Sequence, residues 1–170
     1  MSKKNKSGAK TMPMRVLDEK GIPYEVHQQS SKQFTAEGVA DDLGVPVAQV
    51  VKVMLVQRST NPGGSSTPYV LFVIPGDRRL SLKKVGAALG DKKVELASQR
   101  DVERVTGFQV GAVSVIGFRR DDLPGYVDQH VMELEQVIIS AGRPDAGLAL
   151  VPDDMLRAIT STQTGDFCED

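Results

Sequence analysis

The sequence predicts an α+β domain whose sheet is mixed and mostly antiparallel. Short apolar runs typical of strands alternate irregularly with segments of helical periodicity, and no regular βαβ repeat occurs. Two strongly apolar runs also flank a polar segment rich in Gly, Pro and Ser, which indicates a long hairpin. The chain has 170 residues, of which 40% are hydrophobic and 25% charged, so it can form one domain with a substantial core.

Glycine stops and N-cap residues predict five helices. Glycine often ends a helix because it adopts a left-handed backbone at little steric cost. Four segments end in this way, at Gly21, Gly44, Gly90 and Gly107. Three of them begin after a residue suited to cap a helix, namely Thr35, Ser81 and Ser98. The fifth helix is expected to open at Pro152, where acidic residues occupy the first turn.

Apolar or alternating runs predict seven strands. They are PYEVH (23–27), VVKVMLV (50–56), YVLFVIP (69–75), AVSVIGF (112–118), YVDQHV (126–131), EQVIISAG (135–142) and GLALVP (147–152). The hairpin would join the second and third runs through the polar loop 58–68.

Both ends of the chain lack obvious core residues. Residues 1–11 are basic, and because no apolar segment of a signal peptide follows them, they predict a disordered arm. Residues 161–170 predict a flexible acidic tail, which leaves 12–160 as the single folded domain. Cys168 is the one cysteine, so no internal disulfide can form, and no run has the length of a transmembrane helix. We therefore expect a cytoplasmic protein.

The residue types argue against several catalytic classes. His27 and His130 are far apart and no metal-ligand spacing occurs, so we expect neither a metal nor a cofactor. Ser114, His130 and Asp128 could form a Ser-His-Asp arrangement, although nothing in the sequence requires one. The net charge of −1 gives no global basic field, so an RNA partner would have to bind a local patch.

Lys52 is the most unusual residue of the chain, because it interrupts the apolar run 50–56. Alternate side chains of a strand share a face, and both faces of this run are otherwise apolar. A buried ammonium can offer its charge to a phosphate or a carbonyl oxygen. Alternatively, Lys52 lies on an edge strand, its stem packs and its ammonium reaches water. The residues alone leave both interpretations open.

The order of the segments resembles the YbaK/EbsC family, the free-standing relatives of the editing domain inserted in bacterial prolyl-tRNA synthetases. The segments that carry the resemblance are MRVLDEKGIPYEVH, AEGVADDLGVPVAQVVKVMLV, VIPGDRRLSLKKVGAALGDKKVELAS, VTGFQVGAVSVIGF and YVDQHVMELEQVIISAGRPDAGLALVPDDML. Together they cover residues 12–160. The resemblance implies a barrel-like, mixed and largely antiparallel sheet surrounded by short helices.

The resemblance also implies an activity, the hydrolysis of the ester bond of a mischarged tRNA. Cysteine or alanine on a proline-accepting tRNA would be the typical substrate, and mischarged tRNA and prolyl-tRNA synthetase are the implied partners. Lys52 matches the family's lysine most tied to activity and would position the aminoacyl-adenosine end, while backbone amides of a glycine loop would stabilise the oxyanion. The substrate-binding candidates are Gly111, Ala112, Ser114, Gly142, Asp128 and His130. For Asp128 and His130 a structural role is the alternative.

Three positions depart from the family pattern. Val53 stands where cysteine-specific relatives have threonine, and Ala112 and Val115 replace a glycine and a proline of the loop. These changes leave the edited amino acid open. They also motivate a second hypothesis, a module that binds an aminoacyl, nucleotide or tRNA ligand without catalysis. A purely structural interaction protein is the third hypothesis, but it leaves Lys52 unexplained.

Basic residues cluster between positions 78 and 93. They are Arg78, Arg79, Lys83, Lys84, Lys92 and Lys93. A solvated helix face is the ordinary interpretation of such a run. The resemblance favours the functional alternative, a patch that binds the tRNA acceptor stem, in which each phosphate contact would steepen the salt dependence of binding.

Overall fold

The computed structural model describes residues 10–30, 35–59, 67–118, 122–159 and 162–170. The helices are α1 (Met12–Glu19), α2 (Ala36–Leu43), α3 (Leu82–Leu89), α4 (Gln99–Thr106), α5 (Gln129–Met132) and α6 (Pro152–Ala158). The strands are β1 (Glu25–Gln28), β2 (Lys52–Gln57), β3 (Tyr69–Ile74), β4 (Glu95–Leu96), β5 (Gly125–Asp128), β6 (Val137–Ser140), β7 (Ala146–Leu150) and β8 (Thr162–Gly165). A 3₁₀ turn at Val47–Gln49 leads into β2.

The strands form two sheets that meet at one corner. The smaller sheet has the order β1-β7-β6 and is antiparallel throughout. The larger has the order β4-β2-β3-β5-β8, in which β5 pairs in parallel with both of its neighbours. An isolated parallel bridge between Val50 and Ile138 joins the two sheets. The α+β class with a mixed, largely antiparallel sheet is thus confirmed, with two sheets bridged at one point instead of a closed barrel.

The predicted helix ends are confirmed by their capping geometry. The Thr35 hydroxyl accepts the Gly38 N–H at the start of α2, and Ser81 and Ser98 cap α3 and α4 in the same way. The glycines that follow the first four helices all have positive φ. Each satisfied cap stabilises its helix by about 1 kcal/mol, which matters for helices of only eight residues.

The hydrophobic core lies against the central strands of the larger sheet. All six residues of β3 are buried, as expected for a strand covered on both faces. Phe72 of β3 contacts Tyr126 of β5 and Phe167 near the chain end, with ring centroids 5.0 Å apart in both pairs. Aromatic contacts of this kind add to the stability that burial provides.

Two of the predicted strands are wrong in whole or in part. The run 112–118 is an irregular segment, because the Ser114 hydroxyl and nearby backbone groups bond to another loop and not to a strand partner. In the run 126–131 the strand ends at Asp128, since its carboxylate accepts the His130 N–H and so starts α5. The strands β4 and β8 were not predicted.

The carboxyl-terminal segment also differs from the expectation of a flexible tail over 161–170. Residues 162–165 form β8 and pair with β5, and Phe167 and Cys168 are buried. The Phe167 N–H donates to the Asp128 carboxylate over 2.8 Å. The buried side chains of Phe167 and Cys168 and one buried hydrogen bond therefore hold residues 162–168 against the fold. The acidic composition of this segment had indicated exposure to solvent. Of the predicted arm at 1–11, residues 1–9 lie outside the described residues.

Candidate active site

A cleft of about 290 Å³ opens where the two sheets meet. Its walls come from α2, the first residues of β2, β6, the segment between β4 and α4, and the loop 110–113. Most of the lining side chains are aliphatic, for example Val39, Val53, Val113 and Ile138. Pockets with few polar groups in an apolar wall are typical of ligand-binding sites.

Lys52 is the one charged side chain among the described residues that line this cleft. It opens β2 opposite Ile74 of β3, whereas β4 reaches β2 only at Val56 and Gln57. The first half of β2 therefore lacks a strand neighbour on one side, and the cleft occupies this gap. The Lys52 side chain is half-buried, and no described residue bonds or pairs with its ammonium. The cation is thus available to a ligand.

Close backbone packing fixes the position of Lys52. The 3₁₀ turn before β2 lies directly against Gly76, where an added Cβ would come within 2.3 Å of the Val50 carbonyl oxygen. On the other side, the Val51 N–H donates to the Ile138 carbonyl over 3.2 Å. The lysine consequently projects from rigid backbone and not from a loop, which favours accurate placement of its charge.

The loop that carries Gly111 and Ala112 forms the wall beside Lys52. Gly111 and Val113 line the cleft, whereas Ala112 is buried behind them. The Ala112 N–H donates to the Gln109 carbonyl over 2.9 Å, which closes a turn. The backbone N–H groups of Gly111 and Val113 have no acceptor within the described part of the chain. Because both residues line the cleft, their amides are candidate donors for a ligand.

Ser114 and Gly142, two predicted substrate-binding residues, have structural contacts instead of open access to the cleft. Ser114 is fully buried, and its hydroxyl donates to the Ser140 carbonyl over 2.7 Å. Gly142 has a φ of +91°, and a Cβ there would lie 2.9 Å from the Phe108 ring. Both residues thus shape the loops around the cleft.

Asp128 and His130 lie outside the residues that line the cleft, at the junction of β5 and α5. The His130 imidazole lies 2.7 Å from the Asp128 carboxylate, which is completely buried. Burial alone would raise the pKa of Asp128. Hydrogen bonds from the Phe167 and His130 N–H groups, the imidazole and the Cys168 thiol outweigh it and hold the pKa below its usual value. This arrangement anchors the carboxyl-terminal segment.

The basic residues between 78 and 93 do not form one uniform surface. Lys84 is half-buried and its ammonium bonds to Asp166, Asp170 and the Cys168 carbonyl, so it braces the chain end. Lys83 is exposed beside it, as are Arg79, Lys92 and Lys93. Arg78 is half-buried. Lys83, which faces solvent, and Lys84, which stabilises the fold, are therefore adjacent in sequence.

Gln29 and Ser140, two polar residues of the cleft, were not among the predicted site residues. Gln29 follows β1, and its side-chain N–H donates to the Pro144 carbonyl over 3.2 Å. Ser140 ends β6 and bonds to the loop that carries Ala112. Glutamine and serine are common on surfaces, so only the pairing of β1 and β6 with β7 reveals that these two face the cleft.

Comparisons with known proteins agree with this geometry. A family model for the aminoacyl-tRNA editing domain matches residues 31–158. EbsC of Enterococcus faecalis, which carries a provisional name as a Cys-tRNA(Pro)/Cys-tRNA(Cys) deacylase, is 33% identical over 98% of this chain and 96% of its own length. A proline–tRNA ligase of Desulforamulus reducens is 30% identical over 85% of this chain, which spans 24% of that ligase.

A solved structure is similar over nearly the whole fold. It belongs to a protein provisionally assigned as a trans-editing enzyme for prolyl-tRNA synthetase, and it matches with a TM-score of 0.81 and 25% identity over 94% of this chain and 96% of the other. The chain belongs to the family of aminoacyl-tRNA editing domains. No helix within the described ranges is long and apolar enough to cross a membrane.

Proposed function

We propose that this protein hydrolyses the ester bond of mischarged tRNA, with Cys-tRNA(Pro) and Ala-tRNA(Pro) as the first candidates. One observation carries the proposal: an apolar cleft in which Lys52 is the single charged lining residue of the described chain and lies beside the unpaired amides of Gly111 and Val113. The name of EbsC supports Cys-tRNA(Pro) as a substrate, and that of the structurally similar trans-editing protein supports prolyl-tRNA synthetase as a partner. Ala-tRNA(Pro) is proposed from the family resemblance.

The chemistry that this site would have to supply is modest. An aminoacyl ester is already activated, so water can attack its carbonyl carbon without a protein nucleophile. Negative charge then develops on the carbonyl oxygen, and donors preorganised around that oxygen lower the barrier. The Lys52 ammonium and the Gly111 and Val113 amides are the groups in the cleft suited to this role.

The proton of the attacking water needs an acceptor. Within the described residues no carboxylate and no imidazole lines the cleft, and no group of acidic, histidine or cysteine side chains could hold a metal ion. We infer that the free hydroxyl of the terminal ribose takes this proton and passes its own to the departing ribose oxygen, which leaves as the hydroxyl of the tRNA. The protein then contributes position and charge, whereas the substrate contributes the base.

A second candidate function is ligand binding without turnover. The Ala112 N–H is already bonded to Gln109, so the loop has one donor fewer for an oxyanion. Loss of a single such donor costs about 10²–10³ in kcat, which could leave a domain that binds aminoacyl-tRNA but barely hydrolyses it.

Deacylation of a panel of mischarged tRNAs separates the two functions. Purified wild-type protein is incubated with cysteinyl-, alanyl- and seryl-tRNA(Pro), and release of the amino acid is followed together with tRNA binding. Lys52→Ala is compared with Lys20→Ala, which removes an exposed lysine outside the cleft. We expect turnover that only Lys52→Ala abolishes. Saturable binding with every ester left intact would support the binding module and refute the enzyme.

A further inference from the structure

Ser140 connects the two loops that border the cleft. Its hydroxyl donates to the Ala112 carbonyl over 3.0 Å and accepts the Gly142 N–H over the same distance. Its own carbonyl accepts the buried Ser114 hydroxyl over 2.7 Å. A single residue at the end of β6 thus makes two hydrogen bonds to the loop 111–114 and a third within the loop after β6.

The bond to the Ala112 carbonyl determines where the next amide points. The Ala112 carbonyl and the Val113 N–H belong to one planar peptide group, in which a trans bond directs them to opposite sides. The Ser140 hydroxyl holds the carbonyl on its own side, so the Val113 N–H faces away from it. That N–H has no acceptor in the described chain, and Val113 lines the cleft.

The other polar group of Ala112 is fixed as well, because its N–H closes the turn to Gln109. The peptide groups on both sides of Ala112 are therefore held by hydrogen bonds and burial. Preorganisation of this kind determines how well a donor stabilises developing charge, since a donor that must reorient during the reaction contributes less.

We propose that Ser140 is a positioning residue, which directs the Val113 amide at the developing oxyanion by holding the Ala112 carbonyl. The inference rests on the proposed function of the same cleft, and it adds a role for a side chain that does not itself contact the reacting atoms.

Ser140→Ala tests the inference, with Ser81→Ala as the matched control. Both variants remove one serine hydroxyl that makes backbone hydrogen bonds, but Ser81 caps α3 and lies outside the cleft. For Ser140→Ala we expect kcat to fall about 10- to 100-fold while KM stays near the wild-type value, because the donor remains present but is poorly aimed. Ser140→Thr keeps the hydroxyl and should restore most of kcat.

The kinetic result can overturn the inference directly. If Ser140→Ala has the same kcat as Ser81→Ala, the hydroxyl only stabilises the fold. Equal losses in Ser140→Ala and Ser140→Thr would also overturn it, because the hydroxyl would then not be the relevant group. Should Ser140→Ala fail to fold, Ser140→Cys preserves the size with a weaker donor, and a kcat equal to that of wild type would count against the proposal.

Hydrogen exchange distinguishes failure of this inference from failure of the proposed function. If wild-type protein releases no amino acid from any tRNA, the proposed function is wrong, but the positioning role can still be measured. Amide exchange over residues 109–114 should then be faster in Ser140→Ala than in Ser81→Ala. Unchanged exchange in this segment would show that Ser140 does not hold the loop.

Discussion

Replacement of Lys52 by methionine tests the central electrostatic argument. Methionine retains an unbranched apolar stem of similar length, so the variant removes the charge while it preserves most of the packing in the cleft. Lys52→Arg is the companion variant, because it keeps the charge but spreads it over a larger planar group.

The expected effect on catalysis follows from the surroundings of the ammonium. A unit charge about 4 Å from an oxyanion contributes about 4 kcal/mol at an effective dielectric constant near 20, which is typical of partly buried sites. Measured losses on removal of one oxyanion donor are about 10²–10³ in kcat. We therefore expect Lys52→Met to lower kcat by about 10²–10³, with a smaller loss in Lys52→Arg.

The expected effect on stability is different. Lys52 has no hydrogen-bond or ion-pair partner in the described chain, so its removal breaks no native contact of the charged group. The free energy of unfolding should change by less than about 0.5 kcal/mol, or rise slightly because a half-buried charge has been removed.

Single-turnover deacylation and urea unfolding of the same preparations measure the two effects separately. Excess enzyme isolates the chemical step from product release, and the unfolding midpoint reports the fold. A Lys52→Met variant that hydrolyses its best substrate within about threefold of the wild-type rate would refute the electrostatic role. A large loss of stability would show that Lys52 is a structural residue instead.

Three further predictions concern the carboxyl-terminal anchor and the basic surface. Asp128→Asn should lower the free energy of unfolding by about 2–4 kcal/mol at pH 7. Because the pKa of Asp128 is held below its usual value, this difference should persist above about pH 4 and shrink as pH falls through the folded-state pKa, and a difference that grows with acid would contradict it. Burial and the hydrogen bond to Asp128 raise the pKa of Cys168 to about 12, so a thiol reagent at pH 8 should react slowly with the native protein and rapidly after unfolding. Lys83→Met should weaken tRNA binding and reduce its salt slope by about one, whereas Lys84→Met should lower Tm and leave that slope unchanged.

Local signals in the sequence were sufficient for most of the regular structure. Helix ends depend on single residues such as Thr35 and Gly44, whose capping roles do not require distant partners. The strands β2, β3, β6 and β7 follow from apolar runs, and β1 follows from an alternating one. The irregular segment 112–118 was mistaken for a strand because its apolar residues are buried by loop contacts, which periodicity does not distinguish from a sheet.

Within the site, only a residue whose charge differs from that of its sequence neighbours was predictable. Lys52 stands out because a cation interrupts an apolar strand, and the structure places it in the cleft. Ser114 and Ser140 are both ordinary serines in sequence. Which of them faces the cleft and which is buried depends on tertiary pairing between distant loops. Asp128 and His130 were grouped with the cleft, but Asp128 accepts the Phe167 N–H across 39 positions, and no local pattern encodes that contact. His130 pairs with Asp128.

The anchor at Asp128 also sets an order of events during synthesis. Until Phe167 has emerged from the ribosome, the Asp128 carboxylate lacks one of its donors and β5 has an open edge where β8 will pair. The larger sheet therefore remains incomplete until residues 162–167 have been synthesised, although the cleft residues precede them in the chain. Translation that stalls before residues 162–165 would leave β5 with an exposed edge, and exposed strand edges promote association between unfinished chains.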